Sequence, residues 1–173
     1  LERFEGRDDI ELIPIASELR KDPAEVKKKI NESDITFLCL PDAASIEAVS
    51  YIENPNVRII DASTAHRTNP DWNYGFPELS PAHRENIKNS KRVAVPGCYA
   101  SGFNAIVYPM MQAGLINADA LITCAAISGY SGAGKIAIAQ YQDTDTQFCT
   151  ALAFNSLFDS IDDKGNTAVF SYQ

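Results

Sequence analysis

Short apolar runs alternate with segments of helical periodicity along the first third of the chain. The apolar runs cover residues 10–15, 35–40 and 57–61, and the helical segments between them cover residues 23–30 and 43–51. Runs that are apolar on both faces and joined by helices of about 10 residues are typical of a parallel sheet with helices on both sides. The pattern therefore predicts a doubly wound, Rossmann-like α/β domain.

Two local signals refine these elements. Asp22 and Pro23 open the first helix as an N-cap acid and a proline at the first helical position, and Glu25 occupies the third position. Pro14 lies inside the first apolar run. Because proline cannot donate to a sheet ladder, it predicts that this strand is short or lies near an edge.

The alternation ends after Asp61. Residues 62–92 are mainly polar and aromatic, with one predicted helix that opens at Ser80 and Pro81. A long loop in a compact domain is usually functional. Its aromatic side chains are expected to anchor the loop to the core: Trp72, Tyr74 and Phe76.

The second half predicts fewer elements. Residues 93–95 form a short predicted strand, and residues 101–112 form a helix that Pro109 is expected to kink or interrupt and Gly114 to close. Residues 121–127 predict another strand, followed by a glycine cluster. From residue 141 onward the pattern is too weak to place elements.

Composition limits the possible partners. The 173 residues are 45% hydrophobic, which suits one or two compact domains. A formal net charge of −8 argues against nucleic acid or a membrane surface as partner, because both require clustered Lys and Arg. The apolar runs are far shorter than the roughly 20 residues of a membrane-spanning helix. We therefore expect a globular protein with no nucleic-acid or membrane partner.

The four cysteines are scattered and include no CxxC pair. This spacing indicates neither a zinc site nor a disulfide scaffold, and it suits a reducing cytosol. Cys39 and Cys124 lie inside apolar runs and are predicted to be small buried core residues.

Cys98 has a different setting, after a predicted strand and a Pro96–Gly97 turn and at or just before the start of a helix. Helix N-termini carry unpaired N–H groups and a partial positive charge, which stabilise a thiolate and can hold an oxyanion. The carboxyl end of a parallel strand also gives a ligand access. The spacing alone leaves two interpretations open, a reactive nucleophile or a small residue packed under the helix.

Four segments resemble the N-acetyl-gamma-glutamyl-phosphate reductases, specifically their shorter, second type. VPGCYASG around Cys98 is similar to the family's NPGCYPTG segment, in which the cysteine is the nucleophile. DASTAHR with YGFPEL, the glycine loop SGYSGAGK and the segment FLCLPD are also similar and occur in the family's order. The resemblance covers approximately residues 1–141.

The resemblance implies an NADP-binding Rossmann-like domain at residues 1–97 and the start of an α+β catalytic domain of the semialdehyde-dehydrogenase type at residues 98–173. It implies that Cys98 attacks N-acetyl-glutamyl 5-phosphate, that phosphate leaves, and that NADPH reduces the thioester to N-acetylglutamate 5-semialdehyde. This step belongs to arginine biosynthesis, in a cytoplasmic homo-oligomer that takes a small-molecule substrate.

The resemblance also implies contact residues. The expected substrate contacts are Arg67, Glu78, Ser128 and Gly129. The expected cofactor contacts are Ser17, Arg20, Lys21, Pro41, Ser63, Ser131, Gly132 and Gly134.

The chain departs from the family pattern at Val95, Ala100 and Ser101, where Asn, Pro and Thr are usual. From residue 142 no segment matches, and the family's acid/base histidine and its Gly-rich turn have no counterpart. Since the chain also opens on Leu1, we expect a protein that is incomplete at both ends. Two alternatives stay open, an aspartate-semialdehyde-dehydrogenase-like enzyme and a truncated, non-catalytic nucleotide-binding fragment.

The glycine cluster has a rival interpretation. Gly129 to Lys135 satisfies most of the phosphate-binding pattern GxxxxGK, but Ile136 stands where Ser or Thr must ligate magnesium. The cluster therefore favours a loop rich in backbone N–H groups, suited to an acyl phosphate or a nicotinamide ring. A plain glycine-rich connector is the alternative.

Four charged or polar residues have two interpretations each. A hydroxyl and two cations at Ser17, Arg20 and Lys21 favour the 2′-phosphate of NADP, whereas a solvated helix start explains them equally well. Arg67 suits a carboxylate or phosphate bound by both arms, and a loop-fixing salt bridge is its alternative.

Overall fold

The computed structural model describes residues 4–126 together with residues 132, 138, 139 and 142. The chain divides after Gly97 into two compact units, Leu1–Gly97 and Cys98–Gln173. The first unit contains a parallel sheet, and the second begins with a long helix.

The sheet of the first unit has four strands in the order β1-β2-β4-β3, and every neighbouring pair is parallel. Its strands are β1 (Ile35–Leu38), β2 (Arg58–Asp61), β3 (Asn73–Tyr74) and β4 (Arg92–Ala94). The predicted Rossmann-like parallel sheet is therefore confirmed. Strand β3 was not predicted, because two residues are too few to show an alternating pattern.

The helices are α1 (Pro23–Glu32), α2 (Asp42–Ser50), α3 (Pro81–Asn89) and, in the second unit, α4 (Cys98–Gln112). Two of the helices, α1 and α3, begin where the predicted start signals place them, whereas α4 begins at Cys98, ahead of the predicted residue 101. The Asp22 carboxylate accepts a hydrogen bond from the Ala24 N–H at 2.9 Å, and the Ser80 hydroxyl accepts one from the His83 N–H at 3.2 Å. The predicted N-cap at Asp22 and the predicted helix start at Ser80 and Pro81 are therefore confirmed.

The core of the first unit lies where α1 and α2 pack with β1 and β2. Its buried members are Ile30, Leu38, Ala48, Val57 and Ile59. Trp72 packs against this cluster from the long loop after β2, which confirms that it anchors the loop to the core. Ile35 and Phe37 of β1 stay exposed, at 48% and 57%.

Two predicted strands are wrong where the structure describes them. Residues 10–15 and residues 121–126 form no strand. Pro14 cannot donate to a ladder, and no described strand lies beside either segment in the sheet. Apolar pattern alone does not make a strand without a neighbour to pair with.

The predicted burial of Cys39 and Cys124 is also wrong, because both thiols are exposed. Strand β1 ends at Leu38, so Cys39 lies in the turn that leads to α2. Cys124 lies in the unpaired segment after α4.

Helix α4 passes through Pro109 and continues to Gln112, so Pro109 does not interrupt the helix, and the alternative of a kink there stays a prediction. Gly114 closes the helix as predicted, with φ of 68° and an N–H that donates to the Met111 carbonyl at 3.0 Å. This left-handed conformation favours glycine.

The loop after β2 is anchored by a buried carboxylate. Asp61 ends β2 with no exposed surface. Its carboxylate accepts hydrogen bonds from the Ser63 N–H at 3.0 Å and the Ser63 hydroxyl at 2.6 Å. His66 Nδ1 lies 2.6 Å from the same carboxylate, and the His66 ring stacks on Trp72 with centroids 4.0 Å apart. An ionised carboxylate only accepts, so Nδ1 of His66 is the donor.

The pKa of Asp61 reflects this competition. Burial alone would raise the pKa of this carboxyl group, but hydrogen bonds from His66 and Ser63 outweigh burial and lower it. The carboxylate is therefore the form that the fold favours.

We expect Asp61→Asn to lower the free energy of unfolding at neutral pH by about 3 kcal/mol, because breaking a buried pair leaves a polar partner unmatched. The wild-type chain should also lose stability below about pH 4, since the pKa of Asp61 is lower folded than the unfolded value of about 3.9. This contribution is present above the unfolded pKa and disappears as pH falls through the folded pKa. Urea unfolding measured from pH 7 to pH 3 would show it.

The matched control is Asp9→Asn, which removes an exposed carboxylate paired with Arg7. This variant should unfold like the wild type at neutral pH. An Asp61→Asn variant whose stability falls with acid as steeply as the wild type would contradict the assignment.

Candidate active site

The candidate site begins at the carboxyl ends of the parallel strands, where ligands bind in open α/β sheets. Pro41 follows β1 and immediately precedes α2. Ser63 follows β2, and residues 95–97 follow β4. Cys98 continues directly from this last turn as the first residue of α4. The sheet thus brings three predicted segments to one edge of the first unit.

Two of these segments are tied together by Asp42, the first residue of α2. The Thr64 N–H donates to one Asp42 carboxylate oxygen at 2.9 Å, and the Thr64 hydroxyl donates to the other. The pKa of Asp42 is lowered, chiefly by the Thr64 hydroxyl and N–H, and the charge of Arg67 adds to this. Asp42 was not predicted as a site residue, although an acid directly after Leu40 and Pro41, in the segment that follows a strand, was a visible signal.

Arg67 joins the loop after β2 to the turn after β4. Its Nε donates to the Val95 carbonyl at 2.9 Å, and its Nη2 donates to the Ala62 carbonyl at 3.2 Å. Its Nη1 lies 3.0 Å from the position that a β-carbon on Gly97 would occupy. Arg67 forms no salt bridge within the described part of the chain. It therefore fixes the loop through carbonyls.

Glu78 is exposed in the segment between β3 and α3. Its carboxylate pairs with Arg84 of α3 at 3.6 Å. Since both side chains are more than half exposed, this pair contributes little stability. Its substrate role stays a prediction.

The predicted cofactor residues lie at different depths. Ser17 begins a short 3-10 helix, Ser17–Leu19, and Arg20 and Lys21 follow it on the surface. Neither cation is paired with a carboxylate of the described residues. Pro41 is exposed, whereas Ser63 is buried and its hydroxyl donates a hydrogen bond to the Asp61 carboxylate.

Cys98 is exposed and free at the first position of α4. A cleft of about 660 Å³ in the second unit opens beside it. One wall is α4 and another is the segment after it, and the described lining residues include Phe103, Val107, Ile122, Cys124 and Gly132. An exposed thiol at a helix start beside a mainly apolar cleft has the access that a nucleophile needs.

Four predicted site residues lie outside the described residues: Ser128, Gly129, Ser131 and Gly134. Gly132 is the described member of the glycine cluster, and it lines the Cys98 cleft.

Both histidines belong to the first unit and have local partners there. His66 contacts Asp61, and His83 Nδ1 lies 2.8 Å from the Ser80 hydroxyl at the start of α3. Burial lowers the pKa of His83. These contacts account for both rings in the loop and helix where they occur.

The described residues contain no helix long and apolar enough to cross a membrane. They also bring together no group of three or more His, Cys, Asp or Glu side chains that could hold a metal ion.

Comparisons with known proteins match both units. Residues 11–89 match the family model described as semialdehyde dehydrogenase, NAD binding domain. Residues 98–152 match the model described as semialdehyde dehydrogenase, dimerisation domain. The two matches follow each other in the chain.

Individual relatives have a consistent name. A protein of Burkholderia lata named N-acetyl-gamma-glutamyl-phosphate reductase is 49% identical over 83% of this chain and 46% of its own length. N-acetyl-gamma-glutamyl-phosphate reductase 2 of Pseudomonas putida is 45% identical over 90% of this chain and 50% of its own length. N-acetyl-gamma-glutamyl-phosphate reductase of Trichormus variabilis is 49% identical over 84% of this chain and 45% of its own length.

The chain thus spans about half the length of the curated relatives it matches. Both family models, the parallel sheet and the named relatives agree. The chain belongs to the semialdehyde dehydrogenase family, and it is similar to proteins named N-acetyl-gamma-glutamyl-phosphate reductase.

Proposed function

We propose that this chain forms part of an enzyme that reduces N-acetyl-glutamyl 5-phosphate to N-acetylglutamate 5-semialdehyde and phosphate, a step of arginine biosynthesis. One observation carries the proposal. Cys98 is an exposed, free thiol at the start of α4, beside a cleft, in a sequence 45–49% identical to reductases of that name.

Cys98 acts as the nucleophile in this proposal. Its thiolate attacks the carbonyl carbon of the acyl phosphate, the carbon–oxygen bond to the phosphoryl group breaks, and phosphate leaves a thioester on the sulfur. A helix N-terminus carries a partial positive charge, so the start of α4 suits the oxyanion of the tetrahedral intermediate.

Residues 1–97 hold the nicotinamide cofactor, which supplies the hydride when bound, and residues 98–173 supply the catalytic unit. Ser17, Arg20 and Lys21 fit the 2′-phosphate of NADP, because the two cations are exposed and no described carboxylate pairs with them. We propose further cofactor contacts at Pro41, Ser63, Ser131, Gly132 and Gly134.

Collapse of the reduced thioester to the aldehyde needs a proton donor. We assign this role to neither His66 nor His83, because the resemblance places the acid/base histidine in a segment after Cys98 and both of these histidines precede it. Substrate contacts at Arg67, Glu78, Ser128 and Gly129 stay predictions. The match of residues 98–152 to a dimerisation domain supports a homo-oligomer, which we place in the cytoplasm.

Cys98→Ser tests the nucleophile. The reaction is followed in reverse at 340 nm with NADP, phosphate and N-acetylglutamate semialdehyde, and we expect the variant to lose at least about 1000-fold in rate. Cys124→Ser is the matched control, because Cys124 is also exposed and lines the same cleft. It should keep most of the rate.

Three results would count against the proposal. An active Cys98→Ser variant would remove the nucleophile. Faster turnover of aspartate semialdehyde than of the N-acetylated substrate would favour an aspartate-semialdehyde-dehydrogenase-like enzyme instead. A chain that binds cofactor but turns over neither aldehyde would be a non-catalytic fragment.

Replacing Arg20 and Lys21 together by alanine tests the choice of cofactor. We expect affinity for NADP to fall on the order of tenfold or more, because charge-assisted hydrogen bonds to the 2′-phosphate are lost, while affinity for NAD stays unchanged. Calorimetric titration with each dinucleotide measures both. Lys28→Ala, on the exposed side of α1, provides a charge control. Equal losses for NADP and NAD would show that these cations do not read the 2′-phosphate.

A further inference from the structure

The turn that leads into Cys98 is held on both sides of one residue. The Val95 N–H donates to the Asp61 carbonyl at 2.8 Å, which extends the pairing of β2 and β4 by one bond. The Val95 carbonyl accepts from Arg67 Nε at 2.9 Å. Both main-chain polar groups of Val95 are therefore hydrogen-bonded to residues of one neighbouring segment, residues 61–67.

Gly97, the last residue of the turn, fits against the same guanidinium. Its φ is not in the positive region, so its backbone does not require glycine. A β-carbon at this position would lie 3.0 Å from Arg67 Nη1. The guanidinium cannot move away freely, since its other nitrogens bond to the carbonyls of Val95 and Ala62.

The loop residues that precede Arg67 are themselves held by contacts with the rest of the first unit. The preceding residue, His66, is bonded to Asp61 and stacked on Trp72. Earlier in the loop, Thr64 is bonded to Asp42 at the start of α2. The loop is thus attached to the sheet, the core and a helix before Arg67 reaches the turn.

We propose that Arg67 is a positioning residue, which clamps residues 95–97 and thereby sets where Cys98 begins α4. The proposal rests on the nucleophilic role proposed for Cys98. A thiolate gains from helix N–H groups only when it stays at the helix start, so a loose turn would lower its reactivity. The role differs from anion binding because the Arg67 donors in use point at main-chain carbonyls.

The test measures the rate of alkylation of each thiol by iodoacetamide in the 173-residue chain, using peptide mass spectrometry. Cys39, an exposed thiol after β1, is the internal reference. We expect Arg67→Ala to slow Cys98 on the order of tenfold relative to Cys39, as for loss of a charge-assisted hydrogen bond. Arg67→Lys should be almost as slow, because lysine keeps the charge but lacks the planar fork.

Gly97→Ala completes a double-mutant cycle. Alone, it should also slow Cys98, because the added methyl group displaces the guanidinium. Combined with Arg67→Ala, it should add no more than about twofold, since the group it collides with has gone. A rate of Cys98 alkylation near that of the wild type in Arg67→Lys would overturn the proposal. Independent effects of the two substitutions on that rate would also overturn it.

A purely structural role gives another result. It would lower the unfolding midpoint while leaving the ratio of Cys98 to Cys39 alkylation unchanged, and that outcome also overturns the proposal. Alkylation needs neither substrate nor cofactor. The double-mutant cycle therefore tests the positioning role of Arg67 even in a chain without reductase activity. Failure of the reductase assay alone would leave the measured coupling between Arg67 and Gly97 intact.

Discussion

The buried carboxylate of Asp61 is the interaction on which the candidate site depends. An unpaired charge in this position would cost several kcal/mol, so Asp61 can be buried only when its partners are in place. Those partners, Ser63 and His66, come from the loop that follows it. The loop can therefore take this conformation only together with burial of the end of β2. The stacking of His66 on Trp72 connects both to the core.

The hydrogen bonds that begin at Asp61 continue along the same edge of the sheet. The Asp61 carbonyl receives the Val95 N–H, and Arg67 of the anchored loop binds the Val95 carbonyl. The turn before Cys98 is thus positioned by groups that are distant in sequence and adjacent in the parallel sheet.

The parts of the fold that sequence could predict are those with local causes. Asp22 and Ser80 each satisfy an N–H group within three residues, so their helices could be read from short patterns. The helix start at Cys98 follows in the same way from a strand, a Pro-Gly turn and an apolar-periodic segment. The burial predicted for Cys39 was wrong, because an apolar neighbourhood in the sequence does not show where the strand ends.

Arg67 shows where sequence reasoning stops. A guanidinium offers the same planar set of donors to a phosphate, a carboxylate or a pair of carbonyls, so residue type indicates its geometry and not its partner. The acceptor at Val95 lies 28 residues away, and only the parallel pairing of β2 with β4 brings it within reach. Gly97 is the other residue that this contact requires, because its missing β-carbon leaves the space that the Arg67 guanidinium fills. Neither residue predicts the contact alone, because the contact is a property of the sheet edge that joins them.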